Sequence, residues 1–320
     1  MENNIWYDSF IETLYQRYPK KQQLAQQLMD LLFIEREAVY RRLRKDVIFT
    51  FHEIVKIASA WNISLDEITG VNSGQVSFVM RPVNILDPSE KGLNLIRQVN
   101  NYFEQLDPSG ESEYMEICNK LPRSLVSGLP FINRFYIFKW AYQYGNEETD
   151  IPYSQTIIPE RMRRLMTDFY QAVKNVANMN YIWDHMLFDY LVRDIQYFHS
   201  ILLITDEEKE LIRGDLYALL DYLSEVAGKG SFPETKNKVN LYISQINIDT
   251  NYSYFYAENF KMCRIHVFSK HEIYTYDPEM ISNFRTWMLL KKRSSVQISE
   301  VDERSRIEFF MKQRQLIDSL

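Results

Sequence analysis

Only two cysteines occur in 320 residues, Cys118 and Cys263. Neither belongs to a CxxC pair, which excludes a zinc ribbon and a thioredoxin-like motif. So low a cysteine count suits a reducing compartment, and a cytoplasmic location is expected. Glycine and proline are also scarce, at 9 and 10 residues, which argues against a loop-rich or repeat-turn architecture. No apolar run reaches the length of a bilayer span, and the best candidate, 135–144, is interrupted by Lys139. The opening MENNIWYDSF has neither the basic stretch nor the apolar core of a signal peptide. No membrane partner is expected. Basic charge is in short supply overall, since the formal net charge is −6.

What is present is an ordinary globular balance, 46% hydrophobic and 25% charged, which excludes a disordered chain. Twenty-two tyrosines and 19 phenylalanines are enough for a large core. The length favours two domains. Residues 1–70 carry apolar positions at helical spacing, interrupted by explicit start signals. Helices are expected over 7–18, 21–32 and 36–45. TFHE (50–53) and SLDE (64–67) are capping boxes that open a fourth and a fifth. The stretch 70–86 holds two glycines and loses the helical period, and 71–86 reads as a linker. Residues 87–320 form the second domain. The expected fold class is mainly α, α+β overall. A five-helix N-terminal domain precedes a larger, mostly helical one with a small antiparallel sheet near the C-terminus.

Residues 28–43 have helix-turn-helix spacing. Leu28 and Leu32 close one helix, Ile34 plugs the turn, and Ala38, Val39 and Leu43 hold the next helix against the first. The opposite face carries long polar side chains, as a helix that reaches base edges requires. Five basic residues and one acidic residue fall within 36–45, so positive charge is concentrated there although the domain as a whole is not basic.

The region 20–70 resembles the phage-repressor-like (Cro/repressor, XRE-like) family of bacterial helix-turn-helix transcription regulators. The resemblance is carried by EREAVYRRLR (35–44) and by FHEIVKIASAWNISLDEI (51–68), whose NISLD matches the family's fourth-helix ending. Three positions depart from the pattern. Phe33 stands where glycine is usual, Met29 where a small residue is usual, and Glu35 where Ser or Thr caps the recognition helix. The resemblance implies that Arg36, Glu37 and Arg41 touch bases. Arg can take guanine O6 and N7, and Glu can accept from cytosine N4. Arg44 and Lys45 suit phosphates, Tyr40 suits a thymine methyl or a phosphate, and Arg42 is split between packing and a phosphate.

The rest of the chain offers little recognisable chemistry. His185 and Asp189 share a helix face at i, i+4 with His199 further on, but no complete metal-ligand set accompanies them. His266 and His271 fall on or beside strands, without ligand spacing. There is no phosphate loop, nucleophile elbow or Cys–His pair. Cys118 is expected on an apolar helix face as inert core. ERMRR (160–164) is read as a solvated or salt-bridged face, with a second phosphate patch as the alternative. The aromatic helix 129–144 reads as central core, or else as a pocket wall or dimer interface. One or two long helices are expected over 159–201, any break falling near 178–180.

The expectation is a non-enzymatic, dimeric transcription regulator that binds double-stranded DNA, with no cofactor and no metal. Its second domain would dimerise or sense a small-molecule or protein effector. The alternative is a protein-interaction module whose helix-turn-helix no longer binds DNA.

Overall fold

The computed structural model describes residues 5–18, 20–61, 63, 65, 68, 78–80, 90–107, 110–144, 151–258, 260–267 and 271–320. The chain divides into two compact units, Met1–Ser77 and Phe78–Leu320, the division falling within the 71–86 stretch.

The first unit is a helical module. Helices α1 (Ile5–Arg17), α2 (Lys21–Leu32), α3 (Arg36–Leu43) and α4 (Phe51–Trp61) surround a core of Phe10, Leu14, Leu24, Leu28, Val39, Phe49 and Ile57. Helices this short are marginal in isolation, so packing of their apolar stripes holds them. The Thr50 capping box forms as its sequence predicts. Thr50 N–H donates to Glu53 Oε2 (2.8 Å) and Glu53 N–H donates to Thr50 Oγ1 (3.3 Å). Of the expected fifth helix only Ile63, Leu65 and Ile68 are described, all against this core. Ser64 and Glu67 of its capping box lie outside the described residues, as does most of the 71–86 stretch.

The second unit is α/β, and here the expected small antiparallel sheet is corrected. Eight described strands form one mixed sheet. They are β1 (Val79–Met80), β2 (Glu113–Cys118), β3 (Asn178–Trp183), β4 (Lys238–Ser244), β5 (Tyr252–Ala257), β6 (Phe260–Val267), β7 (His271–Thr275) and β8 (Ser295–Gln297). Their order is β1-β7-β6-β5-β2-β3-β4-β8. β2, β3 and β4 are parallel neighbours, and the remaining pairings are antiparallel. Cys118 therefore ends a strand, not a helix face, and the region 159–201 contains a central strand between two helices. β2 and β3 are buried on both faces, as parallel strands are, and so show no alternation that would betray them.

Helices cover the two faces unequally. α5 (Glu90–Glu104), α6 (Arg123–Val126), α7 (Pro130–Tyr144), α8 (Glu160–Ala172), α9 (Asp189–Ser200), α10 (Asp206–Lys229) and α12 (Glu303–Asp318) contribute to or pack beside the large core on one face. That core includes Phe103, Tyr181, Trp183, Leu216, Val239, Leu241 and Phe309. The opposite face, with Met115, Ile117, Ile182, Tyr254 and Cys263, is packed by α11 (Pro278–Lys291) through Ile281, Phe284 and Met288. The aromatic helix α7 is core: Ile132, Phe135, Ile137 and Phe138 are buried, with Phe138 edge-on to Tyr153 and Phe198. Among the described residues no helix is long and apolar enough to cross a membrane.

Candidate nucleic-acid interface

α2, the turn at 33–35 and α3 form the expected two-helix unit. Phe33 closes α2 in the left-handed conformation (φ 57°, ψ 43°), its N–H donating to the Met29 carbonyl at 2.9 Å. That conformation explains why glycine is usual at this position, because a Cβ there crowds the following carbonyl. Glu35 begins α3 in extended backbone but makes no side-chain cap. Ile34 is half-buried against the core, while Val39 and Leu43 are fully inside it.

The other side of α3 is exposed, with Arg36, Glu37, Arg41 and Arg44 outward and Lys45 just beyond its end. Arg41 has no side-chain partner among the described residues, so its guanidinium is available to a ligand. Arg36 and Tyr40 are neighbours, the guanidinium lying 5.7 Å from the ring centre. Arg44 is held by two carboxylates, Glu37 (2.8 Å) and Asp46 (3.0 Å). Lys45 pairs with Asp8 of α1. Such exposed pairs are weak and exchange readily for a phosphate.

Arg42 is set apart from the rest. Its Nε and Nη2 donate to the two Glu53 oxygens (3.1 and 2.9 Å), and Nη1 donates to the Ala38 carbonyl at 3.1 Å. Both side chains are largely sheltered, at 16% and 13% exposed. The two planar groups match as a fork. Of the alternatives for Arg42, the geometry is that of packing: its head is engaged within the module, bracing α3 on α4. Burial works against the Glu53 charge, but the Thr50 N–H and the Arg42 guanidinium hold its carboxyl below the ordinary value.

Two basic residues escaped the sequence reading. Lys21, at the start of α2, places Nζ 5.6 Å from the Tyr40 ring centre, so that ring is near both Lys21 and Arg36. Lys56 of α4 places Nζ 4.8 Å from the exposed Phe33 ring. Neither has a local signal, because both are brought to α3 and its turn by tertiary packing of other helices.

The second unit contains an ionic network that the sequence did not reveal. Glu116 (β2), Arg264 (β6) and Glu272 (β7) project into the large-core side of the sheet. Arg264 donates to Glu272 Oε2 (3.1 Å), Ser253 Oγ (2.8 Å) and the Tyr114 hydroxyl (2.8 Å), and lies 3.5 Å from Glu116 Oε1. Tyr114 and Ser124 hydroxyls donate to Glu116, and Tyr181 to Ser124. His266 lies 2.9 Å from Glu272. Burial outweighs its partners at Glu116 and pushes that carboxyl up; at Glu272, Arg264 overcomes burial and holds the carboxyl far down. These pairings tie β2, β5, β6 and β7 together, so the network reads as scaffold.

Of the histidines His185 falls differently from expectation, whereas the basic run 160–164 is a salt-bridged face, as read. His185 precedes α9 and does not share a helix face with Asp189; it lies 3.4 Å from Asp184. His199 pairs with Asp206 at 3.0 Å. Arg163 and Arg164 both fold onto Glu160. Among the described residues no three His, Cys, Asp or Glu side chains converge as a metal site. No protein-family model, curated protein or solved structure matches the chain.

Proposed function

We propose that the chain is a DNA-binding transcription regulator whose α3 enters the major groove, acting as a cytoplasmic homodimer without enzymatic activity or cofactor. The observation that carries this reading is the division of α3. Val39 and Leu43 anchor it, while Arg36, Glu37 and Arg41 stand on the opposite, exposed side. Arg36 and Arg41 are the base-reading residues in this proposal. Lys21, Tyr40, Arg44 and Lys45 form the phosphate-facing set. Dimerisation supplies the second half-site that one module of this size lacks.

The test is fluorescence anisotropy on duplexes from the gene's own upstream region, at two salt concentrations. The Arg36→Ala/Arg41→Ala variant is expected to lose at least roughly tenfold in affinity, as the loss of a bidentate base contact implies. Wild-type binding should weaken steeply with salt. One observation favours the alternative of a protein-interaction module. Glu37, Asp46 and Asp8 already occupy Arg44 and Lys45. Folded protein that binds no duplex at low salt would decide for that module.

A further inference from the structure

Beyond β8 the chain is anchored, then sharply bent, then helical. Ile298 N–H donates to the Leu241 carbonyl (2.8 Å), and Ser299 Oγ accepts from the Leu241 N–H (3.1 Å), so the chain is fixed on β4 as far as Ser299. The bend follows at once. Val301 N–H donates to the Ser299 carbonyl at 2.6 Å, closing a three-residue turn around Glu300, whose φ is 59°. A turn of this size with positive φ at its centre is the rare and strained form. Asp302, the N-cap of α12, has φ 28° and ψ 65°, short even of the left-handed region at about +50 to +70°. Neither residue is glycine, so each Cβ adds to the strain.

The helix that follows this bend is seated by an apolar face. Phe309, Phe310 and Ile317 are buried in the large core, and Phe309 stacks on Trp183. One residue does not suit the seat. Gln313 is 0% exposed, yet among the described residues neither its amide nitrogen nor its oxygen has a hydrogen-bond partner. Buried polar atoms without partners lower the cost of unseating the helix. The ties at the rim are exposed ones, Arg314 with Asp221 and Tyr217 with Asp318, both between α12 and α10. Exposed pairs of this kind add little. Beside the bend, Val301, Ile307 and Met311 are exposed apolar side chains, and the last two share a helix face.

The geometry points to exchange of α12 between two copies of this chain, driven by the strain at its hinge. An emptied seat would expose Trp183 and the aromatic core around it, so it must be refilled. The occupant that matches it is the α12 of a second copy, which carries the same Phe309, Phe310 and Ile317. Every contact of the seated helix is then remade between chains. What changes is residues 300–302, which in the opened form no longer need positive φ at Glu300 and Asp302. Short hinges under strain favour exchange for this reason. The hinges of such a pair run beside each other, which covers apolar groups such as Val301 and Ile307. The exchange rests on the second unit alone. It gives the homodimer proposed above a physical basis, and it can fail while a dimer of another kind survives.

The experiment puts one cysteine on each side of the exposed rim, Asp221→Cys/Arg314→Cys, in the full chain. Cys118 and Cys263 are buried and stay out of the reaction. The folded protein is treated with a short bis-maleimide at micromolar concentration, run on a denaturing gel, and mapped by peptide mass. Exchange predicts a covalent dimer whose link joins position 221 of one chain to position 314 of the other, and that neither single-cysteine variant gives. Glu300→Gly, which fits the turn without strain, should raise the dissociation constant of the dimer at least roughly fivefold, read by light scattering. Circular dichroism establishes that each variant is folded. A 221–314 link found only within single chains overturns the proposal. If the protein is nevertheless a dimer, the homodimer stands on another surface and only the exchange falls. A dimer held as tightly by Glu300→Gly as by the wild type overturns hinge strain as its cause.

Discussion

The two units use the same chemistry, a guanidinium on carboxylates, to opposite ends. In the helical module most such pairs are exposed and local. Arg44 is shared by Glu37 and Asp46, and even the sheltered Arg42–Glu53 pair spans only adjacent helices. In the α/β unit, Arg264 ties three strands together from inside, with residues as distant in sequence as Glu116 and Glu272. Exposed pairs contribute little and can be exchanged for a ligand, whereas buried ones are costly to break. The pairs of the first unit are thus mostly exchangeable, whereas the second, alongside exposed pairs such as Arg163–Glu160, also commits a guanidinium to its interior.

The largest expected effect tests that contrast directly. Arg264→Met leaves the buried Glu116 and the sheltered Glu272 without their cation, and should destabilise the second unit by up to about 3–5 kcal/mol. Urea titration followed by near-ultraviolet circular dichroism should show this transition shifted, and that of the helical module unmoved. Joint loss of both transitions would break the comparison, since it would mean that the two cores do not fold as separate units. Glu116 and Glu272 also differ in sign. Glu272 lies far below its unfolded value, so its contribution is present above that value and lost as pH falls through the folded one. Glu116 is raised, so its contribution is present at low pH and lost as pH rises through its folded value.

A middle-sized effect is expected in the module. Arg42→Ala removes the brace between α3 and α4 and should cost about 1–3 kcal/mol, the range for a hydrogen-bonded charge pair that is only partly desolvated. Because the Glu53 carboxyl is held below its ordinary value, its stabilisation is complete above the unfolded carboxylate value. It is lost as pH falls through the folded one. Thermal melts across the acid range should show wild-type stability falling toward that of Arg42→Ala. A constant gap between the two proteins at every pH would separate Arg42's packing on Phe49 and Ala38 from its charge.

Legibility divided along the same line. In the module, α2 runs over Lys21–Leu32 as its apolar spacing predicts, and the Thr50 capping box is formed. These signals lie within a few residues of what they specify. In the second unit strands were expected near the C-terminus, where β4 to β7 lie. β2 and β3 were not, because EYMEIC and NMNYIW are six-residue runs buried on both faces, without a period of two. The network at Arg264 and the hydrogen bonds of the Asn240 amide to Asn178 and Asn180 were hidden for a further reason. Each is assembled by strand register, such as Asn180 opposite Asn240, across more than fifty residues of intervening chain. The candidate interface was legible in α3 itself, whereas Arg42's pairing with Glu53 and the approach of Lys21 and Lys56 required the packed helices.

The smallest effect concerns the turn itself. Phe33 occupies left-handed backbone while its ring is 85% exposed, so burial does little to offset the strain. Phe33→Gly relieves the clash of Cβ with the following carbonyl, worth roughly 1–2 kcal/mol for a non-glycine residue. Against this stand the greater freedom of glycine in the unfolded chain, about 0.5–1 kcal/mol, and the lost contact of Lys56 with the ring. The balance is a gain of no more than about 1 kcal/mol, read as a small rise in the urea midpoint of the module. A clear loss of stability instead would mean that the Phe33–Lys56 contact holds α2 to α4 more strongly than an exposed cation–ring pair normally does. DNA anisotropy on the same variant then separates the two roles of the ring. If stability rises while affinity falls, the strained and exposed aromatic at this turn is kept for what it touches outside the module.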